Sequence, residues 1–341
     1  MHLISLLYKL VKTKWKHDGL KVLIQTSYYY DTLSWEKTFI KALDEPVTAK
    51  MDVVYCAGKL SLRKHLVDAE ICFLLSLSKK SLSLAKKVRM VFVPYQGVDL
   101  AEYSKCFPNI AFMKATPYSS SAIAEYCLAT SIMLKRKLHN AIYLQSKKKW
   151  SQRLILEDQY EAFNSLVVGI LGVGQVGKVV TAVYKSIGCK VIGCDSNSNS
   201  LSYIDELYHP NELDVFLSES NILVVCIPLT PNTEGMIGLK ELKLLGKDSI
   251  LVNVSRGKIV NCDELLFSLK EGVIGGAVLD VFDHEPLSRN SPYYRLPNVI
   301  ITPHVSGNMN MFRDKIQMDF ASVIGTYCRG TSSTYACGEH P

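Results

Sequence analysis

The sequence predicts an α/β protein built from two doubly wound parallel-sheet domains, one inserted into the other. Three observations carry that prediction. Short apolar strands alternate with helical stretches along most of the chain, the pattern of parallel sheets covered by helices. The alternation runs in two series, separated by a long helical stretch and an exposed connection. The final helical segment has no strand after it and is expected to pack back on the first series.

The first series offers strands at Lys21–Gln25, Asp52–Tyr55, Ile71–Leu75 and Met90–Val93, with helical stretches such as Ser34–Leu43 between them. A long helix is expected from Ser121 to about Leu144, where Ile123, Ala124, Cys127, Leu128, Ser131, Ile132 and Leu134 recur at helical spacing. Ser119, Ser120 and Ser121 offer its N-cap. Lys147 to Asn164 reads as an exposed connection. The second series has strands at Leu166–Leu171, Lys190–Cys194, Ile222–Ile227, Ser249–Val254, Gly276–Asp280 and Val299–Ile301, before a last helix from Met309 to Cys328. The expected division is a discontinuous domain of residues 1–120 plus 308–341, interrupted by a domain of residues 121–307.

Composition narrows the class. The 341 residues suffice for two ordinary domains, and 48% hydrophobic with 21% charged residues fits a soluble globular chain. No apolar run approaches the roughly 20 residues of a spanning helix. The apolar stretch Met1 to Leu7 is too short for a secretory signal. The ten cysteines form no CxxC pair, which argues against zinc and thioredoxin-like sites. They read as reduced core residues of a cytoplasmic protein. The net charge of +7 gathers in part at Lys9, Lys12, Lys14, Lys16 and Lys21 and at Lys147-Lys148-Lys149. No nucleic-acid module accompanies it, so it reads as solvated surface whose mild positive field suits anionic ligands.

The second series opens on a dinucleotide-binding pattern. The buried-strand run Leu166 to Leu171 leads into Gly172-Val173-Gly174-Gln175-Val176-Gly177, then a helix, then a strand ending in Asp195. Gly172 permits a tight turn, Gly174 lets backbone approach a pyrophosphate, and Gly177 lets the helix pack on the strand. The amides of Gln175 and Val176 open the helix toward the phosphates. Asp195 stands about 20 residues past the glycines, where a carboxylate bonds ribose hydroxyls and repels a 2′-phosphate. Ser196-Asn197-Ser198-Asn199 offers no arginine for such a phosphate, so NAD is expected over NADP.

Three later strands end in polar segments: Asn253–Gly257, Asp280–Leu287 and Thr302–Gly307. Ligands of open α/β sheets bind outside the carboxyl ends of the strands. Hydride exchange with a hydroxy acid needs a cation for the carboxylate and carbonyl, for which arginine provides paired hydrogen bonds. It needs an acid/base, for which histidine is suited, and a carboxylate to orient it. Arg256, His304 and Glu285 supply that set, with His284 a decoy beside Glu285.

These segments resemble the D-isomer-specific 2-hydroxyacid dehydrogenase family. The likeness is close from Leu166 to Gly307 and takes in Pro228–Thr233, Asn253–Gly257, Leu279–Phe282 with Glu285-Pro286-Leu287, and Thr302-Pro303-His304. Residues 1–120 match more loosely. The resemblance implies that Arg256, Glu285 and His304 are catalytic and that Asp280 bonds the nicotinamide carboxamide. It implies that Pro228, Thr233, Val254 and Gly307 line the cofactor, and that the amides of Gln96 and Gly97 face the substrate carboxylate. It also implies a homodimer and a small 2-hydroxy or 2-oxo acid substrate, with the inserted domain binding NAD and the discontinuous one binding substrate. Neither metal, membrane nor nucleic acid enters that expectation. Two departures fall near the expected substrate pocket: Thr116 to Ser121 replaces a glycine- and asparagine-rich approach, and Asn308-Met309-Asn310 replaces a usual threonine. A phosphite-type dehydrogenase shares the triad, and the fold also serves NAD(H)-sensing corepressors. Formate oxidation fits less well, because Glu285 is an acid.

Overall fold

The structure is a computed structural model that describes residues 19–27, 31–95, 98, 100–116, 118–151, 162–197, 203–307 and 310–329. The chain divides into two compact units, Met1–Pro117 with Met309–Pro341, and Tyr118–Asn308. Each carries one parallel sheet.

The first unit has five strands, β1 (Leu20–Gln25), β2 (Met51–Cys56), β3 (Ile71–Phe73), β4 (Met90–Val93) and β5 (Ala111–Lys114), in the order β2-β1-β3-β4-β5. Helices α1 (Thr32–Thr38), α2 (Gly58–Leu66) and α3 (Leu100–Cys106) intervene. The 2-1-3-4-5 order is a doubly wound, flavodoxin-like arrangement. β3 and β4 are buried along their whole length, as strands covered on both faces must be. Trp35, Phe39, Phe73 and Phe92 meet Phe320 of the terminal helix, Asn310–Arg329, in one cluster. The Trp35 and Phe73 rings stand edge to face at 4.6 Å. Such pairs contribute about 0.5–1.5 kcal/mol each beyond burial. Gln317 Nε2 donates to Ser34 Oγ at 2.9 Å, and Asp319 Oδ2 accepts from Thr116 N at 2.9 Å. The last helix is thus part of the first unit's core.

The second unit opens on α4 (Ser119–Lys135) and α5 (Leu138–Ser146), and then its sheet begins. The strands are β6 (Val167–Leu171), β7 (Lys190–Cys194), β8 (Glu206–Tyr208), β9 (Ile222–Val225), β10 (Ile250–Asn253), β11 (Gly276–Leu279) and β12 (Val299–Ile301), ordered β12-β11-β10-β9-β6-β7-β8. Helices α6 (Gln175–Ser186), α7 (Leu213–Glu219), α8 (Leu239–Leu245) and α9 (Cys262–Lys270) connect them. Read from β6, this is the 3-2-1-4-5-6 order with one strand added, and the order reverses between β6 and β9.

Two expectations need correction. The helix from Ser121 to Leu144 is two helices, because Lys137 takes a left-handed conformation, φ 50°, that breaks the ladder. The N-cap position is Tyr118, whose side chain makes no capping hydrogen bond, so the serines do not cap. Strands β5 and β8 lie where no strand is expected from the sequence. Both are edge strands of three or four residues, too short to show a period. Of the exposed connection, residues 152–161 lie outside the described residues.

Candidate active site

β6 and β9 end side by side, and their following turns meet. Gly172 has φ +94°, and a Cβ there would stand 2.7 Å from Ile227 Cγ2. Only glycine fits such a left-handed turn without strain. A Cβ at Gly177 would lie 2.1 Å from Gly172 O, so helix α6 can close on the turn only with glycine there. Gly174 is the N-cap, and among the described residues, its chain neighbours aside, no heavy atom lies within 4 Å of where its Cβ would be. Gln175 and Val176 open the helix, and Gln175 is exposed. The 12-residue helix therefore directs its free amides into open space, as an anion site requires.

Asp195 follows β7. Its Oδ2 accepts from Val173 N at 2.7 Å and its Oδ1 from Asn197 N at 2.8 Å. The carboxylate is pinned beside the glycine turn with acceptor sites to spare, since an ionised carboxylate offers about four. These features fit a dinucleotide: an open helix N-terminus, a glycine approach and a fixed ribose acceptor. Ser120 is a buried polar residue outside these turns. Its hydroxyl is buried in the first turn of α4 and has no partner among the described residues. Sequence reasoning treated it only as a cap.

The turn after β9 is closed by Thr233. Its hydroxyl donates to Pro228 O at 2.7 Å and accepts from Thr230 N at 2.8 Å. Val254 is buried directly after β10. The Asn253 side chain then clamps the next residues, donating from Nδ2 to Arg256 O at 3.0 Å and accepting from Ser255 N at 3.1 Å. Arg256 is half-buried, and its Nη1 donates to Ser255 O at 2.7 Å.

After β11 comes Asp280, 1% exposed. Its Oδ1 accepts from Thr302 Oγ1 at 2.5 Å and from Val305 N at 2.8 Å, and its Oδ2 accepts from Ser306 N at 2.9 Å. Its backbone oxygen accepts from His304 N at 2.9 Å. These bonds hold His304 at φ 55°, a conformation that is uncommon for a side chain of this kind. Glu285 Oε1 accepts from Phe282 N at 3.0 Å, which orients the carboxylate, and its Oε2 stands 2.8 Å from His304 Nδ1. Glutamate accepts there, so Nδ1 carries the proton and Nε2 is left for a ligand. His304, not its exposed neighbour His284, pairs with Glu285. Gly307 follows, and a Cβ there would meet Ser119 Cβ at 3.2 Å.

Arg256, Glu285 and His304 thus stand past three adjacent strands, β10, β11 and β12, at one end of one sheet. Gln96 and Gly97 lie outside the described residues. Three thiols lie elsewhere in this unit, Cys194 at the end of β7, Cys226 after β9 and Cys262 at the start of α9. Burial pushes Cys262 up to about 11 and Cys194 and Cys226 up to about 12, so all three stay protonated.

The model of the D-isomer specific 2-hydroxyacid dehydrogenase NAD binding domain matches residues 128–306, more than half of the chain. The chain belongs to that family. The glyoxylate reductase of Aeropyrum pernix is 29% identical over 314 residues, which cover 89% of this chain and 88% of that protein. A D-isomer specific 2-hydroxyacid dehydrogenase from Xanthobacter autotrophicus, solved with NADPH and MES, superposes with a TM-score of 0.76 at 22% identity, covering 92% of this chain and 96% of that one. The NADPH-dependent glyoxylate/hydroxypyruvate reductase of Sinorhizobium meliloti, solved with NADP and sulfate, gives 0.70 at 25% identity, covering 85% and 90%.

Proposed function

We propose that this protein interconverts a D-2-hydroxy acid and its 2-oxo acid with NAD(H). The observation that carries the reading is the His304–Glu285 pair, 2.8 Å apart, past β12 and β11, the two strands that follow β10 and Arg256 toward the edge of the sheet. In the reductive direction the bound cofactor supplies a hydride to C2 of the acid. His304 Nε2 gives its proton to the carbonyl oxygen while Glu285 holds Nδ1–H and stabilises the ring's charge. Arg256 binds the carboxylate and polarises the carbonyl. Gln96 and Gly97 keep the carboxylate-binding role that the family resemblance implies.

Gly172, Gly174, Gln175, Val176 and Gly177 would hold the pyrophosphate, and Asp195 the ribose hydroxyls. Pro228, Thr233, Val254 and Gly307 would line the nucleotide. Asp280 uses three of its roughly four acceptor sites on the turn that carries His304, which leaves one for the carboxamide. Asp195 supports NAD, since a fixed carboxylate repels a 2′-phosphate. The second unit would then be the cofactor domain, the first the substrate domain, and the protein a cytoplasmic homodimer.

The relatives' names make glyoxylate and hydroxypyruvate the first acids to test, with pyruvate and longer 2-oxo acids after them. NADH oxidation is expected with at least one of them, with kcat/KM for NADH above that for NADPH. No turnover with any acid, alongside micromolar NADH binding, would replace the enzyme with a nucleotide sensor. A preference for NADPH would overturn the role of Asp195.

A further inference from the structure

We propose that Tyr126, on helix α4, is a positioning residue for His304, acting through Thr302 and the buried Asp280 carboxylate. The inference rests on the catalytic reading of His304 and adds to it a residue far away in sequence.

The geometry orders the contacts in one direction. Tyr126 Oη and Thr302 Oγ1 are 2.7 Å apart, and Thr302 Oγ1 is 2.5 Å from Asp280 Oδ1. A carboxylate only accepts, so the Thr302 hydroxyl donates to Asp280 and its oxygen is left to accept from Tyr126. Burial pushes the Tyr126 hydroxyl up, so it keeps the proton that it donates. The chain therefore runs Tyr126 O–H to Thr302 O–H to Asp280. Bonds aligned in this way polarise and strengthen one another in a low-dielectric setting.

Asp280 is where this chain becomes useful. The same carboxylate receives the amides of Val305 and Ser306, and its backbone oxygen receives the amide of His304. Those three amides belong to the turn that carries His304 at φ 55°. A non-glycine residue persists in that conformation only where surrounding bonds hold it. Removing the Tyr126 hydroxyl leaves the Thr302 hydroxyl held by Asp280 alone. The donor to Asp280 is then less firmly aimed, and the turn loses part of what fixes it. The ring of Tyr126 packs against the apolar cluster under the sheet, so Tyr126→Phe removes the hydroxyl and keeps the packing.

The test compares the full-length parent with Tyr126→Phe, Thr302→Val, Thr302→Ser and the Tyr126→Phe/Thr302→Val double variant. Three quantities are measured: kcat with the best 2-oxo acid, NADH affinity by fluorescence, and amide hydrogen exchange across 302–307. Misplacement of about 1 Å can cost roughly 100-fold. A partial loosening is expected to lower kcat about 10-fold in Tyr126→Phe and further in Thr302→Val. In Tyr126→Phe NADH affinity should stay near the parent's, and Thr302→Ser should retain activity. The double variant should match Thr302→Val within about two-fold, as expected when one residue acts through another. Exchange in the His304 turn should quicken in Tyr126→Phe while the strands stay protected. Parental kcat and exchange in Tyr126→Phe would overturn the proposal. So would a full further loss in the double variant, or faster exchange throughout the second unit. If the parent turns over no acid, the proposed function fails, and the exchange arm alone decides the role of Tyr126.

Discussion

Gly177 shows how much one hydrogen in place of a methyl group decides here. A Cβ at that position would press on Gly172 O at 2.1 Å, a contact with backbone that cannot swing away. Gly177→Ala must push helix α6 off the turn, at a cost of about 1–3 kcal/mol. NADH affinity is expected to fall by about 5- to 100-fold, by fluorescence titration, because each 1.4 kcal/mol is a factor of ten. Parental affinity would contradict the cradle. The glycines, Asp195, Arg256, Glu285 and His304 were legible because each belongs to a short local motif with a physical reason for every member. Tyr126 was not. Its partner Thr302 is 176 positions away, and nothing in a helical stripe marks which tyrosine ends on a distant hydroxyl. The same holds for Ser120, which reads as a cap from its neighbours alone. Asp280 was legible as a site residue through the family resemblance, but its bonds to the His304 turn needed the fold.

At the scale of elements, apolar strands declared themselves where both faces are buried. β4, β7 and β12 have the expected bounds, and β6, β9, β10 and β11 shift by one or two residues. β5 (Ala111–Lys114) and β8 (Glu206–Tyr208) escaped notice because neither holds a valine, isoleucine or threonine and each carries a charged residue. The break between α4 and α5 escaped for another reason. Lys137 carries no sequence signal for a left-handed residue, a place where glycine or asparagine is usual. Left-handed backbone costs a non-glycine residue about 1–2 kcal/mol. Lys137→Gly trades that strain against a looser unfolded chain and should gain a few tenths to about 1 kcal/mol. The thermal midpoint should rise by about 1–3 °C by scanning calorimetry. A lower midpoint would mean that the lysine side chain supplies more than the strain removes.

At the scale of the whole molecule, the order of parts is what turns a nucleotide fold into a candidate dehydrogenase. A glycine turn alone specifies a ligand. The segments after β10, β11 and β12 add a cation, a carboxylate and a histidine at the same end of that sheet. In the proposed reading the pyrophosphate and ribose are held after β6 and β7 and the proton is moved after β12, so nucleotide binding and the His304 step should separate experimentally. The most direct test is His304→Ala in the full-length protein, assayed for NADH affinity and for single-turnover reduction of the best 2-oxo acid. The account predicts parental NADH affinity with reduction slowed by about 10²–10⁴-fold, the usual worth of a positioned acid/base. Reduction at the parental rate would contradict it.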